Sequence, residues 1–160
     1  MDTKPSETFS LKYPEDDRLP DEAKRVTIGY WDHRGLGQVV RLTLAYLEIP
    51  FEDKRYKVGD PPNFDKAVWA EDKYNLGLAL PNLPYVLIPE GVCGPDGDLA
   101  SKPSVRSVSF PLKLTQTYAI LRFFARTHDL LGATEPERTR ADMLVESMRD
   151  IQDALFQVIP

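Results

Sequence analysis

The stretch VTIGYWDHRGLGQVVRLTLAYLEIPF, residues 26–51, decides the fold. It opens with a β-branched and aromatic run over 26–31 that alternates well enough for a strand. Arg34-Gly35 is turn-like. Leu36, Val40, Leu44 and Leu47 then recur at helical spacing, which leaves Arg41 and Glu48 to face water. Pro50 stops that helix. Tyr30 and Trp31 fall where strand gives way to helix, and two bulky aromatics at such a turn need a reason.

Working outward, FEDKRYKV (51–58) has apolar ends and a charged middle, which suits an edge strand. A loop follows with one short helix over 65–74, and LPNLPYVLI (80–88) is a third strand, apolar enough to be central. Residues 89–111 are rich in Pro, Gly and Ser and read as a long loop with a strand-like VRSVSF over 105–110. Closing such a loop costs little more than closing a short one. LKLTQ (112–116) is a short strand and TYAILRFFARTHDLLG (117–132) a helix ended by Gly132. Thr134 with Glu137 forms a capping box, with Pro136 tolerated in the first turn. The helix it opens carries Leu144, Met148, Ile151, Leu155 and Val158 along one stripe. The result is an α/β chain that starts βαβ, adds more strands and ends in helices.

Composition narrows the function. The 160 residues are 42% hydrophobic and 28% charged, ordinary for a globular protein. A net charge of −5 argues against nucleic acid as a partner, because nothing neutralises phosphates in bulk. The single cysteine, Cys93, excludes an internal disulfide and CxxC redox chemistry, and fits a reducing compartment. Residues 1–25 are polar and read as a flexible extension without the apolar core of a signal peptide. No apolar run approaches the length of a membrane span. A cytoplasmic protein with no membrane partner is expected. His33 and His128 lack metal-ligand spacing and read as surface groups, so no metal is expected.

The blocks GYWDHRGLGQVVRLTLAY, YKVGDPPNFDKAVWAEDKYNLGLALPNLPYV, LTQTYAILRFFARTH and GATEPERTRADMLVESMRD, in that order, resemble the mu-class cytosolic glutathione S-transferases. The resemblance covers roughly residues 26–88 and 112–157. It implies a thioredoxin-like, glutathione-binding domain of βαβ-α-ββα order over 26–130, with 89–111 as an inserted loop. An all-helical C-terminal domain would be only begun over 131–160, and a homodimer is expected if that domain is complete. The implied reaction joins the thiol of glutathione, a co-substrate rather than a cofactor, to a small hydrophobic electrophile.

By this resemblance Tyr30 is the catalytic hydroxyl that hydrogen-bonds the sulfur. The chemistry is sound, because a phenol with a pKa near ~10 stays protonated and donates to an anion. The helix starting near Leu36 adds a helix N-terminus, which also favours negative charge. Lowering a thiol pKa by about two units raises the thiolate fraction at neutral pH about 25-fold. Weaker nucleophilicity then takes back roughly 6- to 10-fold. Positioning must supply the rest of the rate.

The resemblance also assigns glutathione contacts to Trp31, Leu36, Lys66, Trp69, Lys73, Asn82, Leu83, Pro84, Gln116, Thr117 and Asp150. Trp69 and Lys73 are four apart and share a helix face, where an ammonium can meet the glycine carboxylate of the tripeptide. Read without the resemblance, they are an amphipathic helix with Trp69 inside and Lys73 solvated. Asn82-Leu83-Pro84 is similar to the family's cis-proline turn, whose backbone pairs with the cysteinyl unit. Gln116 and Thr117 lie at a helix start, where free N–H groups can take the γ-glutamyl carboxylate. Plain capping by Thr115 or Thr117 stands beside that reading. Asp150 matches an aspartate that reaches across a dimer. Arg126 and Asp142 resemble an ion pair near the interface, and Arg122 an interface arginine.

The chain departs from the pattern at several points. Lys66 stands where an arginine is common, and loses the planar fork. Tyr118 replaces a small polar residue after Gln116-Thr117, and Leu80 replaces an aromatic that keys into the partner. The loop 89–111 enlarges a tight hairpin. The stripe Leu144, Met148, Ile151 and Leu155 lacks the helices that would cover it, which forfeits roughly 6–12 kcal/mol of burial. These features lead to the expectation of a truncated or alternatively spliced product, or a faulty gene model, rather than a competent transferase. A non-catalytic glutathione-binding or dimerising module is the alternative to an enzyme.

Overall fold

The computed structural model describes residues 25–94, 97–98 and 110–158. The extension lies outside this range except for Arg25, and the strand-like 105–110 except for Phe110.

The opening stretch folds as its pattern predicts. Strand β1 is Val26–Trp31, helix α1 is Gly37–Tyr46 and strand β2 is Phe51–Tyr56. Helix α2 is Ala67–Lys73, and the Asp65 carboxylate accepts the Ala67 N–H at 2.9 Å in its first turn. Strand β3 is Tyr85–Ile88, shorter than the expected 80–88, because Pro81 and Pro84 have no N–H for a ladder. Within the stretch read as loop, Cys93–Gly94 (β4) and Gly97–Asp98 (β5) pair as a small antiparallel sheet. Strand β6 is Leu112–Thr115, helix α3 Thr117–Thr127 and helix α4 Glu135–Val158.

The main sheet has the order β2-β1-β3-β6. Charged β2 is an edge strand and apolar β3 is central, as their compositions predict. β1 runs parallel to β2 and antiparallel to β3, which is antiparallel to β6. The C-terminal ends of β1, β2 and β6 therefore meet the N-terminal start of β3 along one edge.

Two buried clusters flank the sheet. Val26, Ile28, Val86 and Ile88 alternate onto one face and pack against Val40 and Leu44 of α1 and Ile120, Phe123 and Phe124 of α3. Tyr30, Tyr56, Trp69, Leu78, Leu83 and Tyr85 form the second. Gly29 is opposite Tyr85, and a β-carbon there would lie 2.1 Å from its ring, so the strand needs glycine for that ring to cross it.

Two other expectations change. Arg41 does not face water: it is 7% exposed, on the α1 face shared with Gly37 and Leu44. Helix α3 ends at Thr127 rather than running to Gly132. The Thr127 hydroxyl bonds the Phe123 and Phe124 carbonyls, and Asp129, at φ 55°, turns the chain away. Gly132 belongs to the approach to α4, where Glu137 Oε2 accepts the N–H groups of Ala133 and Thr134 at 2.8 and 2.9 Å. That is the glutamate half of the expected capping box. α4 buries no residue, and Leu144, Met148, Ile151 and Leu155 are all exposed, as the uncovered stripe implied.

Candidate functional site

The sheet edge gathers Tyr30-Trp31 from β1, Leu83-Pro84 before β3 and Gln116-Thr117 after β6. Register explains it: Gly29 pairs with Tyr85, and Tyr85 with Thr115. Three segments distant in sequence thus end side by side.

Tyr30 is 6% exposed and packs in the same buried cluster as Leu83. A β-carbon on Gly37 would come within 2.5 Å of its ring, so the ring lies directly against the first turn of α1. Its hydroxyl oxygen accepts the Leu36 N–H at 3.0 Å, one of the donors a helix start leaves unpaired. Burial pushes the phenol above its ordinary range, while the Leu36 N–H and the Arg41 guanidinium pull the other way. The group stays protonated at neutral pH, and its own O–H is available to donate. A hydroxyl that accepts from a helix start and donates outward suits a developing anion.

The turn that carries this arrangement is braced by Arg41, a role the sequence reading missed. Arg41 Nε donates to Asp53 Oδ1 at 3.0 Å and Nη1 to the His33 carbonyl at 3.1 Å, with Nη2 3.5 Å from the Trp31 carbonyl. Its guanidinium carbon lies 5.9 Å from the Tyr30 ring centroid. Asp53 is held in turn by Arg55 at 2.7 Å, and Arg55 reaches Asp32 at 3.2 Å. The available signal was position: three before Leu44 and four after Gly37, residue 41 falls on the buried face.

The other expected residues divide. Trp31 is half-buried, and the Lys66 ammonium lies 5.9 Å from its ring centroid, so Lys66 and Trp31 border the same edge. Trp69 is a core residue, stacked on Tyr85 with centroids 5.9 Å apart and edge-on to Tyr56. Lys73 ends α2 with its ammonium over Tyr74, 5.4 Å from the centroid. The Tyr56 hydroxyl bonds both Asp72 and the Tyr85 hydroxyl at 2.8 Å, and Lys54 pairs with Asp72 at 2.6 Å. Burial first, and then its phenol and carboxylate partners, push Tyr56 far above the ordinary phenol range. This aromatic floor locks α2 onto the sheet.

The Leu83–Pro84 peptide is cis. The Leu83 N–H bonds the exposed Asn82 side chain at 2.9 Å, a local contact that a ligand backbone can replace. Gln116, at φ 69°, precedes α3, and no side chain caps that helix. Capping by Thr115 or Thr117 is therefore not what the structure shows, and the first N–H groups of α3 remain for an anion. Asp150 stands apart on exposed α4. Tyr118, which follows Gln116-Thr117, has its phenol pushed up by burial first and then by Asp153 of α4.

Tyr118 donates to Gln152 of α4 at 2.8 Å. Asp142 pairs with Arg122 at 2.9 Å rather than with Arg126, because Arg122 lies on the α3 face that α4 crosses. Among the described residues, no group of three or more His, Cys, Asp or Glu is placed to hold a metal, and no helix is long and apolar enough to cross a membrane.

A thioredoxin-like sheet whose edge holds a buried phenol, a cis-proline turn and an uncapped helix start defines a glutathione-transferase type of fold. Residues 26–93 match the family described as glutathione S-transferase, N-terminal domain, and form a domain of that family. Within it the sequence stands with the mu class. It is 43% identical over 133 residues to glutathione S-transferase 2 of Gallus gallus, covering 83% of this chain and 51% of that protein. It is 41% identical over 133 residues to glutathione S-transferase Mu 2 of Mus musculus, with the same coverage. The crystal structure of the glutathione S-transferase Blo t 8 superposes with a TM-score of 0.61 at 32% identity, covering 83% of this chain and 50% of that one. The chain spans about half the length of the curated relatives it matches.

Proposed function

We propose that the chain binds reduced glutathione at this edge and that Tyr30 stabilises its thiolate for attack on a small hydrophobic electrophile. The observation that carries the reading is the Tyr30 hydroxyl, buried and protonated, fixed by the Leu36 N–H at the start of α1. The thiol ionises, the Tyr30 O–H donates to the sulfur anion, and the α1 N-terminus adds its dipole. The cysteinyl backbone pairs at Leu83-Pro84, with Asn82 yielding its bond to Leu83. The γ-glutamyl carboxylate takes the N–H groups at Gln116-Thr117, and Lys66, beside Trp31, meets the glycine carboxylate. Trp69 supports this corner as floor, while Leu36 contributes through its N–H. Lys73 assists at the end of α2. Asp150 serves a site in a second copy of the chain, which makes the working form a homodimer. Glutathione is consumed as co-substrate, no further cofactor enters, and the cytoplasm is the compartment.

One observation favours the module without turnover. The whole apolar stripe of α4 is exposed, so no described element builds an electrophile pocket over it. Two assays on the purified chain separate the readings. An enzyme conjugates an aryl halide, and Tyr30→Phe lowers kcat on the order of a hundredfold while glutathione still binds. A module binds glutathione with no turnover, and absence of binding overturns both.

A further inference from the structure

Tyr56 and Tyr85 stand on strands that do not touch. Tyr56 ends β2, Tyr85 begins β3, and β1 runs between them. The Tyr85 ring bridges the two by crossing β1 over Gly29, where a β-carbon would strike it. Both residues are buried, and their hydroxyl oxygens meet at 2.8 Å. Chemistry fixes the order of donation. The Asp72 carboxylate can only accept, so the Tyr56 O–H donates to it at 2.8 Å. Tyr56 has no second proton, so the Tyr85 O–H donates to the Tyr56 oxygen. Lys54 first, at 2.6 Å, and then Tyr56 hold the Asp72 carboxyl below its ordinary range, so the acceptor is an anion at neutral pH.

The two ends of this chain lie in different parts of the candidate site. Tyr85 directly follows the cis Leu83–Pro84 peptide. Asp72 belongs to α2, which has Lys66 just before it and Lys73 as its last residue. Of the seven residues of α2 only Trp69 is buried, stacked on Tyr85 and edge-on to Tyr56. Asp72 adds a hydrogen bond and an ion pair from that helix to the sheet. Two hydrogen bonds in series thus hold α2 at a set distance from the cis-proline turn.

We infer that Tyr85, Tyr56 and Asp72 are positioning residues for glutathione, setting the span between the turn that pairs with its cysteinyl backbone and the lysines that meet its glycine carboxylate. This deepens the glutathione reading above and rests on it. The three residues act through Lys66 and Lys73 and not on the sulfur. Breaking the chain therefore weakens binding at the glycine end and leaves the chemical step alone. Its kinetic signature is a higher KM for glutathione at an unchanged kcat.

The test measures binding to the full chain by calorimetry, with glutathione and with γ-glutamylcysteine, which lacks the glycine carboxylate. Asp72→Ala is expected to weaken glutathione about tenfold and γ-glutamylcysteine less than about twofold. Alanine is the better helix former, so such a loss cannot come from a weaker α2 helix. Asp72→Asn keeps an oxygen that accepts from Tyr56 and is expected to stay within about threefold of wild type. Tyr56→Phe keeps the ring and is expected to match Asp72→Ala. Should it fail to fold, the Asp72 variants decide, because that side chain is 31% exposed. Where the chain turns over, kcat is expected to stay within about twofold in each variant. Equal weakening of both ligands in Asp72→Ala overturns the proposal, as does unchanged glutathione affinity, and the glutathione reading stands in either case. Where γ-glutamylcysteine binds too weakly to compare, an Asp72→Asn protein as weak as Asp72→Ala overturns it. If the wild-type chain does not bind glutathione, that reading fails and this one falls with it.

Discussion

Helices α3 and α4 are neighbours with opposite fates. α3 has 11 residues and buries Thr117, Ile120, Phe123, Phe124 and Thr127. α4 has 24 residues, more than twice the length, and buries none. Both carry an apolar stripe at helical spacing. The stripe of α3 meets a sheet, whereas α4 is held to α3 by a polar seam of Tyr118 with Gln152 and Arg122 with Asp142 and Glu146. That seam turns Leu144, Met148, Ile151 and Leu155 toward solvent. What α4 has instead is local support: the Glu137 cap and the Arg149 pairs with Glu146 and Asp153. Helix formation and helix burial are separate matters, and only burial contributes substantially to stability.

The comparison is broken most directly by truncating one apolar side chain on each helix. Phe124→Ala is expected to cost about 3–5 kcal/mol in urea unfolding, because the fully buried ring leaves a cavity. Leu155→Ala is expected to stay within about 0.5 kcal/mol, since that side chain is 54% exposed. A loss above about 2 kcal/mol at Leu155 would mean that something covers the stripe in solution, such as a second copy of the chain.

Ion pairs sharpen the contrast at smaller scale. Arg41 is 7% exposed and Asp53 16%, and the guanidinium also serves two carbonyls. Arg41→Met is expected to cost about 2–3 kcal/mol, because it leaves Asp53 with Arg55 alone, unpairs the His33 carbonyl and releases the turn beside Tyr30. Arg122 also has two carboxylate partners, but Asp142 and Glu146 are 57% and 50% exposed. Arg122→Met is expected to cost under ~1 kcal/mol. Equal losses would show that the α3–α4 seam is drier than its exposure implies.

Much of this was legible in the sequence, for physical reasons. The period change from two to 3.6 over residues 26–47 gave β1 and α1 almost to the residue, and the charged middle of β2 gave its edge position. The Gly-Tyr-Trp-Asp and Leu-Pro-Asn-Leu-Pro blocks brought the family and with it the candidate site. Residue type misled where it conflicted with position: arginine at 41 reads as solvent-facing, though its helical phase is buried. The end of α3 was misread because glycine is the commoner left-handed residue, yet Asp129 takes that conformation first. The Tyr56–Tyr85–Asp72 network depends on β1–β2 and β1–β3 register, which no local pattern encodes.

Acid separates the two helix starts most finely. The Glu137 carboxylate is held below its ordinary range by the Thr134 N–H first and then the Ala133 N–H. A folded value below the unfolded one means the stabilisation is present above the unfolded carboxylate range and is lost as pH falls through the folded value. α3 has no acidic residue in its first turn and no side-chain cap, so acid removes nothing comparable from it. Amide exchange at Ala133 and Thr134, corrected for the intrinsic rate, is therefore expected to lose protection as pH falls below the ordinary carboxylate range, while amides at the start of α3 do not change in step. Glu137→Gln is expected to abolish the acid response at those two amides and leave α3 as it was. The same acid response in that variant would remove Glu137 as the cause and point to loosening of the α3–α4 seam through Glu146, whose carboxyl Arg122 also holds low.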